Sequence, residues 1–163
     1  MAKTGLPLST LERNVLLSHY AVHLSPILYL LLPLYMVFRS VEFLLIIKPL
    51  IVFSGVFPIM LICRDKKLKN LTTLDFSTLY LLYPALSAAM NYDFHENIFL
   101  PPMILWTLYF IKTNRNSLMI ISVLLTLMVK EDAALYIIFI GLYTIFYRKE
   151  RLKGIIIAGV GIS

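Results

Sequence analysis

An all-α, multi-pass transmembrane helical bundle is the fold class this sequence predicts, and three observations predict it. Of the 163 residues, 60% are hydrophobic and 15% charged, with a mean hydropathy of +0.83. Soluble domains carry about 45–50% apolar and about 25% charged residues, so the surplus exceeds what one small core hides. The apolar residues also fall into runs separated by short polar turns. Finally, ten of the fifteen basic residues occupy three of those turns: Arg64, Lys66, Lys67 and Lys69; Lys112 and Arg115; Arg148, Lys149, Arg151 and Lys153. Cytoplasmic loops of membrane proteins carry their Lys and Arg in this way.

These observations exclude other classes. The net charge of +6 is a topology signal, not a nucleic-acid surface, because no soluble scaffold is visible to present one. Six glycines and a lone cysteine, Cys63, exclude collagen-like and disulfide-rich folds. The first twenty residues lack the apolar core of a signal peptide.

The first apolar stretch, 25–38, is 14 residues long and contains Pro33. A hydrocarbon core of about 30 Å needs about 20 helical residues at 1.5 Å each. This stretch is therefore expected to lie at the interface or re-enter, which makes 1–42 an extracytoplasmic segment and 43–163 a set of transmembrane hairpins. The first span, 43–63, is apolar except for Lys48, which is expected to snorkel towards the outer headgroups. Pro49 is expected to kink or restart that helix. Thr72 and Asp75 have capping-box spacing ahead of a helix running to about Met90. The polar turn NYDFHE, 91–96, follows, and 98–111 returns to the second basic cluster. Segment 117–129 leaves again, Lys130, Glu131 and Asp132 form a turn, and 133–147 returns to the third cluster. Segment 154–163 begins another crossing, for five spans and the start of a sixth.

Placing basic loops 64–70, 112–116 and 148–153 in the cytoplasm makes the path self-consistent. Six of nine acidic residues, Glu12, Glu42, Asp93, Glu96, Glu131 and Asp132, then lie outside with all three histidines. Helix length adds chemistry. Segment 117–129 is 13 residues, about 20 Å of helix, so Lys130, Glu131 and Asp132 are expected below the outer interface. Ionisable groups at membrane depth normally face a bundle interior or a water-filled cavity. Asp93, His95 and Glu96 precede the short return helix, so two hairpin tips point carboxylates towards one outward-facing cavity. The alternative is structural: a charge-neutralised tip at 130–132 and capping residues at 93–96. His19 and His23 share a helical face at i, i+4, but no clear third ligand makes a zinc site.

The segments HLSP at 23–26 with ILYLLLPLY after it, LLYPAL at 81–86, YDFHEN at 92–97 and VKEDAALY at 129–136 occur in order. In this the chain resembles a bacterial and archaeal family of multi-pass "predicted membrane proteins" of unknown function, from about Ser18 to Ala158. That family in turn looks related to membrane glycosyltransferases of the class C fold. The resemblance implies a prokaryotic plasma-membrane protein that takes a sugar from a polyprenyl-phosphate carrier on the outer face. It implies that the catalytic candidates are Asp93, His95, Glu96, Glu131 and Asp132, with Asp93 or Glu131 as general base for an acceptor hydroxyl. His23, His95 and Lys130 would bind the carrier phosphate. Asp132 and Glu96 would orient these groups or hold a divalent cation through oxygen ligands. Relatives carry an earlier helix with an acidic outer loop and further helices after this point. The chain is accordingly expected to be a fragment of a larger bundle, catalytically incomplete alone. Two other classes stand beside this reading: a transporter or channel component using Lys130, Glu131 and Asp132 as a relay, and a non-catalytic truncated remnant.

Overall fold

The computed structural model describes residues 8–9, 17–18, 25–91 and 94–162. His19, His23, Glu12 and Asp93 lie outside the described residues. Among those described, the chain is helical apart from one two-residue antiparallel ladder. It joins β1 (Leu8–Ser9) to β2 (Leu17–Ser18), with Leu8 opposite Ser18. The all-α expectation holds at that level.

Helix α1 (Ile27–Phe38) carries Pro33 inside and ends at Arg39, whose φ of 44° is left-handed. Ser40 caps α2 (Val41–Ser54), its hydroxyl accepting from the Phe43 amide at 3.1 Å, one of the orphan donors of a first helical turn. Pro49 lies within α2 and neither ends nor restarts it. The break falls six residues on, at Gly55, before α3 (Val56–Asp65). There the Val52 carbonyl accepts from the Gly55 amide at 3.0 Å and from the Tyr80 hydroxyl at 2.9 Å. A Cβ on Gly55 would collide with the Tyr80 phenol, so only glycine admits that hydroxyl.

Helix α4 (Asn70–Leu81) begins before Thr72, so the Thr72–Asp75 pair lies inside its first turns and caps nothing. The Thr73 hydroxyl instead bonds back to the Lys69 carbonyl at 3.2 Å. The expected single helix to Met90 is divided at Tyr83, and α5 (Pro84–Asn91) restarts it. Pro84 lacks an amide hydrogen and disfavours helical backbone at the preceding residue. A 3-10 turn (Glu96–Phe99) leads into α6 (Leu100–Lys112), with proline in its first turn, where no intrahelical amide is needed. Then follow α7 (Asn116–Leu127), α8 (Ala133–Phe146) and α9 (Arg151–Ile162).

One helical stretch among the described residues is long and apolar enough to cross a membrane: Glu42–Asp65, 24 residues, in which α3 continues α2 across the turn at Gly55, about 36 Å in all. The apolar helices α1, α7 and α8 have 12, 12 and 14 residues, about 18–21 Å each, so their length alone does not make them spans. Their outer faces are nonetheless apolar, with Val37, Phe38, Ile121, Phe139 and Phe146 all exposed. Two buried clusters hold the bundle. One gathers Ile27, Val52, Leu86, Phe99, Val129 and Ala133; the other gathers Ile111, Met119, Val123, Ile137, Ile140 and Ile157.

The three basic turns meet at one end. Lys112 Nζ is 2.6 Å from Asp65 Oδ2 and donates to the Ile62 carbonyl at 3.3 Å. Arg148 donates to the Lys112 carbonyl at 3.5 Å and to Glu150 at 3.0 Å. Lys153 reaches both Glu150 and Asn114 Oδ1 at 2.6 Å. Each turn also bends through a left-handed residue, Lys67, Asn114 or Lys149. In the first two, amide bonds from Leu68 to Cys63 and from Arg115 to Phe110, each 3.0 Å, close the helix end.

The hydrogen bond from Lys153, ahead of the neighbouring Arg148 charge, holds the Glu150 carboxyl below its usual 4.5. A carboxyl depressed in the folded state contributes stability above its unfolded pKa and loses it as pH falls through the folded value. Acidification below about 4.5 is therefore expected to loosen the α8–α9 turn, without global unfolding, because this half-buried group of charges ties one turn and is no part of the two apolar clusters. Hydrogen-exchange protection at Glu150 and Gly154, compared at pH 6 and pH 3 with that at Ile137, checks this. Equal change at all three sites would refute it.

Candidate functional site

At the other end, the chain entering α1 ties two hairpin tips together. The Ile27 amide donates to the Met128 carbonyl at 2.7 Å, which docks the entry segment on the tip before α8. Two residues earlier, fully buried Ser25 donates from Oγ to Glu96 Oε1 at 3.0 Å. Glu96 opens the 3-10 turn and is itself buried. A buried carboxylate needs such donors, because an unsatisfied charged acceptor is costly. The tips around 94–99 and 128–133 therefore sit side by side over Ile27, Phe99, Val129 and Ala133.

Lys48 departs from the sequence expectation. It does not snorkel: the residue is 2% exposed, and Nζ donates to the Ala89 carbonyl of α5 at 3.3 Å. Helix α2 packs against the 3-10 turn, so a buried ammonium and a buried carboxylate occupy neighbouring elements at this end. An open cavity of about 700 Å³ lies against α4, α5 and the start of α6. Leu79, Tyr83, Leu86, Ala88 and Ile98 make its walls apolar, and His95 and Asn97 place an imidazole and an amide on it. Such a chamber suits an amphiphile with a long apolar tail and a polar head.

The other candidates divide. The Lys130 side chain is only 13% exposed, and its Nζ lies 3.7 Å from Asp132 Oδ2. Asp132 and Glu131 themselves face outwards. Among the described residues no group of three His, Cys, Asp or Glu side chains is placed to hold a metal ion. The turn 130–132 is thus not uniform: Val129 and Ala133 are buried on either side of it, and the lysine packs inward while the two carboxylates do not.

Sequence reasoning missed two participants. Ser25 lies in the HLSP segment, but that segment gave the serine no role, and only the fold brings it to Glu96, 71 residues away. Lys48 did carry a signal, an ionisable group inside an apolar run. Removing the Ser25 hydroxyl is expected to be felt at Glu96. Ser25→Ala should lower stability by about 1–3 kcal/mol, the cost of a stranded buried acceptor, and by less in a Glu96→Gln background. Unfolding midpoints of the two single variants and the double variant measure the coupling; a coupling near zero would separate the two residues.

Neither a curated protein nor a solved structure matches the chain. A family model described as "Predicted membrane protein (DUF2079)" matches residues 5–163. Nearly the whole length is covered, and the exposed apolar faces and the 24-residue apolar helix fit that description. The chain belongs to this family of predicted membrane proteins of unknown function.

Proposed function

We propose that the chain is the membrane-embedded part of a class C-like glycosyltransferase of the prokaryotic plasma membrane, using a polyprenyl-phosphate-linked sugar on the outer face. The observation that carries this reading is the apolar cavity beside the buried Ser25–Glu96 pair, with His95 on its wall. In this reading the cavity takes isoprenoid units, and His95 and Lys130 meet the carrier phosphate, joined by His23. Asp93, in the same DFHE motif, is the general base, with Glu131 as the alternative. Glu96, held by Ser25, and Asp132 orient these groups or a divalent cation.

The reading has the three basic turns in the cytoplasm, the segment 1–42 outside and five crossings between. Gathering of Lys66, Lys112 and Arg148 at one end supports it, because an up-and-down path brings alternate turns together. Cysteine labelling in a Cys63→Ser background tests the path. Glu131→Cys is expected to react with a membrane-impermeant maleimide in intact cells and Lys67→Cys only after lysis; the reverse pattern would overturn the topology.

For the activity, the reconstituted protein is incubated with a photoreactive polyprenyl phosphate. Labelling is expected within 79–101, competed by unlabelled polyprenyl phosphate and lost on His95→Ala. In the membrane of its own host, Asp93→Asn should abolish sugar transfer without altering insertion. Uncompeted labelling together with unchanged transfer would sink the assignment.

A second reading has specific support: the interruptions at Gly55 and Pro84 and the buried Lys48 are features of transporters, whose discontinuous helices surround an intramembrane charge. Solute uptake that depends on Lys48 and not on polyprenyl phosphate would favour it.

A further inference from the structure

A second cavity, of about 550 Å³, opens at the opposite end of the molecule, between α3, α6 and α8. Its floor is apolar, with Leu108 on α6 and Ile140 on α8. One wall is an aromatic stripe along α8, where Phe139, Tyr143 and Tyr147 recur about one helical turn apart; the last two rings stack at 5.2 Å. Its mouth carries three cations, Lys66, Lys112 and Arg148, one from each basic turn. Lys112 and Arg148 are engaged with Asp65 and Glu150. Among the described residues, however, Lys66 forms no ion pair.

We infer that this groove is a binding site for an anionic phospholipid, its phosphate over Lys66 and Arg148 and an acyl chain along Leu108 and Ile140. Charge selects the occupant. An apolar slot alone would take any chain, but three cations at its mouth, with Lys66 in no ion pair among the described residues, call for an anionic head. Basic pockets between membrane helices hold acidic headgroups in this way. Tyrosines at the mouth suit the interfacial level at which such a head lies. The inference uses the membrane placement of this family but neither the glycosyltransferase reading nor the side on which the basic end lies.

The test compares lipids on the purified full chain in a mild detergent. Phosphatidylglycerol and phosphatidylcholine with the same acyl chains are titrated separately, and bound lipid is counted by native mass spectrometry. Phosphatidylglycerol is expected to bind roughly tenfold or more tightly, as about 1 kcal/mol for each of two cations implies. Lys66→Ala/Arg148→Ala should erase that preference. Lys67→Ala/Lys149→Ala, with the same net charge but outside the groove, should keep it. Leu108→Trp, which fills the floor and leaves the charges alone, should weaken binding of both lipids. Equal binding of the two lipids by the unaltered chain would overturn the inference whatever the variants do. Equal loss in the two double variants would overturn it as well, by assigning the preference to diffuse surface charge. Polyprenyl phosphate labelling at the other cavity is indifferent to all these results, so the two proposals fail separately.

Discussion

Gly154→Leu is expected to separate α9 from α8 and to destabilise the chain by about 2 kcal/mol or more, within the range of overpacked cores. The two helices approach each other closely through small residues. A Cβ on Gly154 would fall 2.6 Å from the Gly141 carbonyl oxygen and 2.8 Å from the Ile145 amide nitrogen. One on Gly141 would fall 2.7 Å from the Ala158 amide nitrogen. These obstacles are backbone atoms, so no side-chain rotation relieves them. Gly154 and Ala158 stand four apart on α9, the small-residue spacing by which membrane helices bring their backbones together. Gly159, one position on, faces open space. Gly159→Leu should leave stability unchanged or raise it by up to ~1 kcal/mol, since glycine is a poor helix former. Denaturation midpoints in detergent, monitored by circular dichroism, compare the two variants. Similar midpoints would mean that α8 and α9 are not held through Gly154.

The second large effect is expected at Lys48. Lys48→Glu places a carboxylate where an ammonium donates to the Ala89 carbonyl, so two acceptors face each other and a buried charge has no compensation. Losses of about 3–5 kcal/mol accompany such changes, enough to keep most of a marginally stable chain from folding. Lys48→Met keeps a long unbranched side chain without the charge and is expected to cost clearly less. The yield of monodisperse protein and its denaturation midpoint rank the two variants. If both behave like the unaltered chain, the ammonium reaches the headgroup region after all.

Lys48 also shows why part of the fold was legible and part was not. Helix positions follow from local rules. The runs that predicted helices over 117–129 and 133–147 match α7 and α8 within two residues, because apolar continuity and polar turns act over one helix length. The divisions at Gly55 and Tyr83 were harder to place. Pro49 is the stronger local breaker, yet α2 continues through it. The chain breaks at Gly55, where a phenol from α4 takes up a backbone carbonyl. The capping-box spacing at Thr72 misled for a related reason: the helix already begins in the preceding basic turn, so neither residue has an orphan amide to cap.

At the candidate site the same distinction applies. Polarity in an apolar chain marked His95, Glu96 and Lys130 without any structure, since charged residues are rare in such runs and concentrate at tips. It did not reveal their orientation. Glu96 turns inward to Ser25 while Asp132 stays exposed, although both are carboxylates in hairpin tips. What separates them is the entry segment, which covers one and not the other.

The sequence by itself determined that this is a helical membrane protein with its basic residues collected in alternate turns. Hydropathy and charge are sums over local composition, and a bilayer responds to those sums. Only the tertiary structure decided that Lys48 is enclosed, that Ser25 meets Glu96, and that two largely apolar cavities lie at the two ends, one with an imidazole on it and the other with three cations. Those facts depend on pairs such as 25 with 96 and 48 with 89. Residues so far apart in the chain become neighbours through helix packing, where glycine permits close approach and a buried polar atom must find its partner.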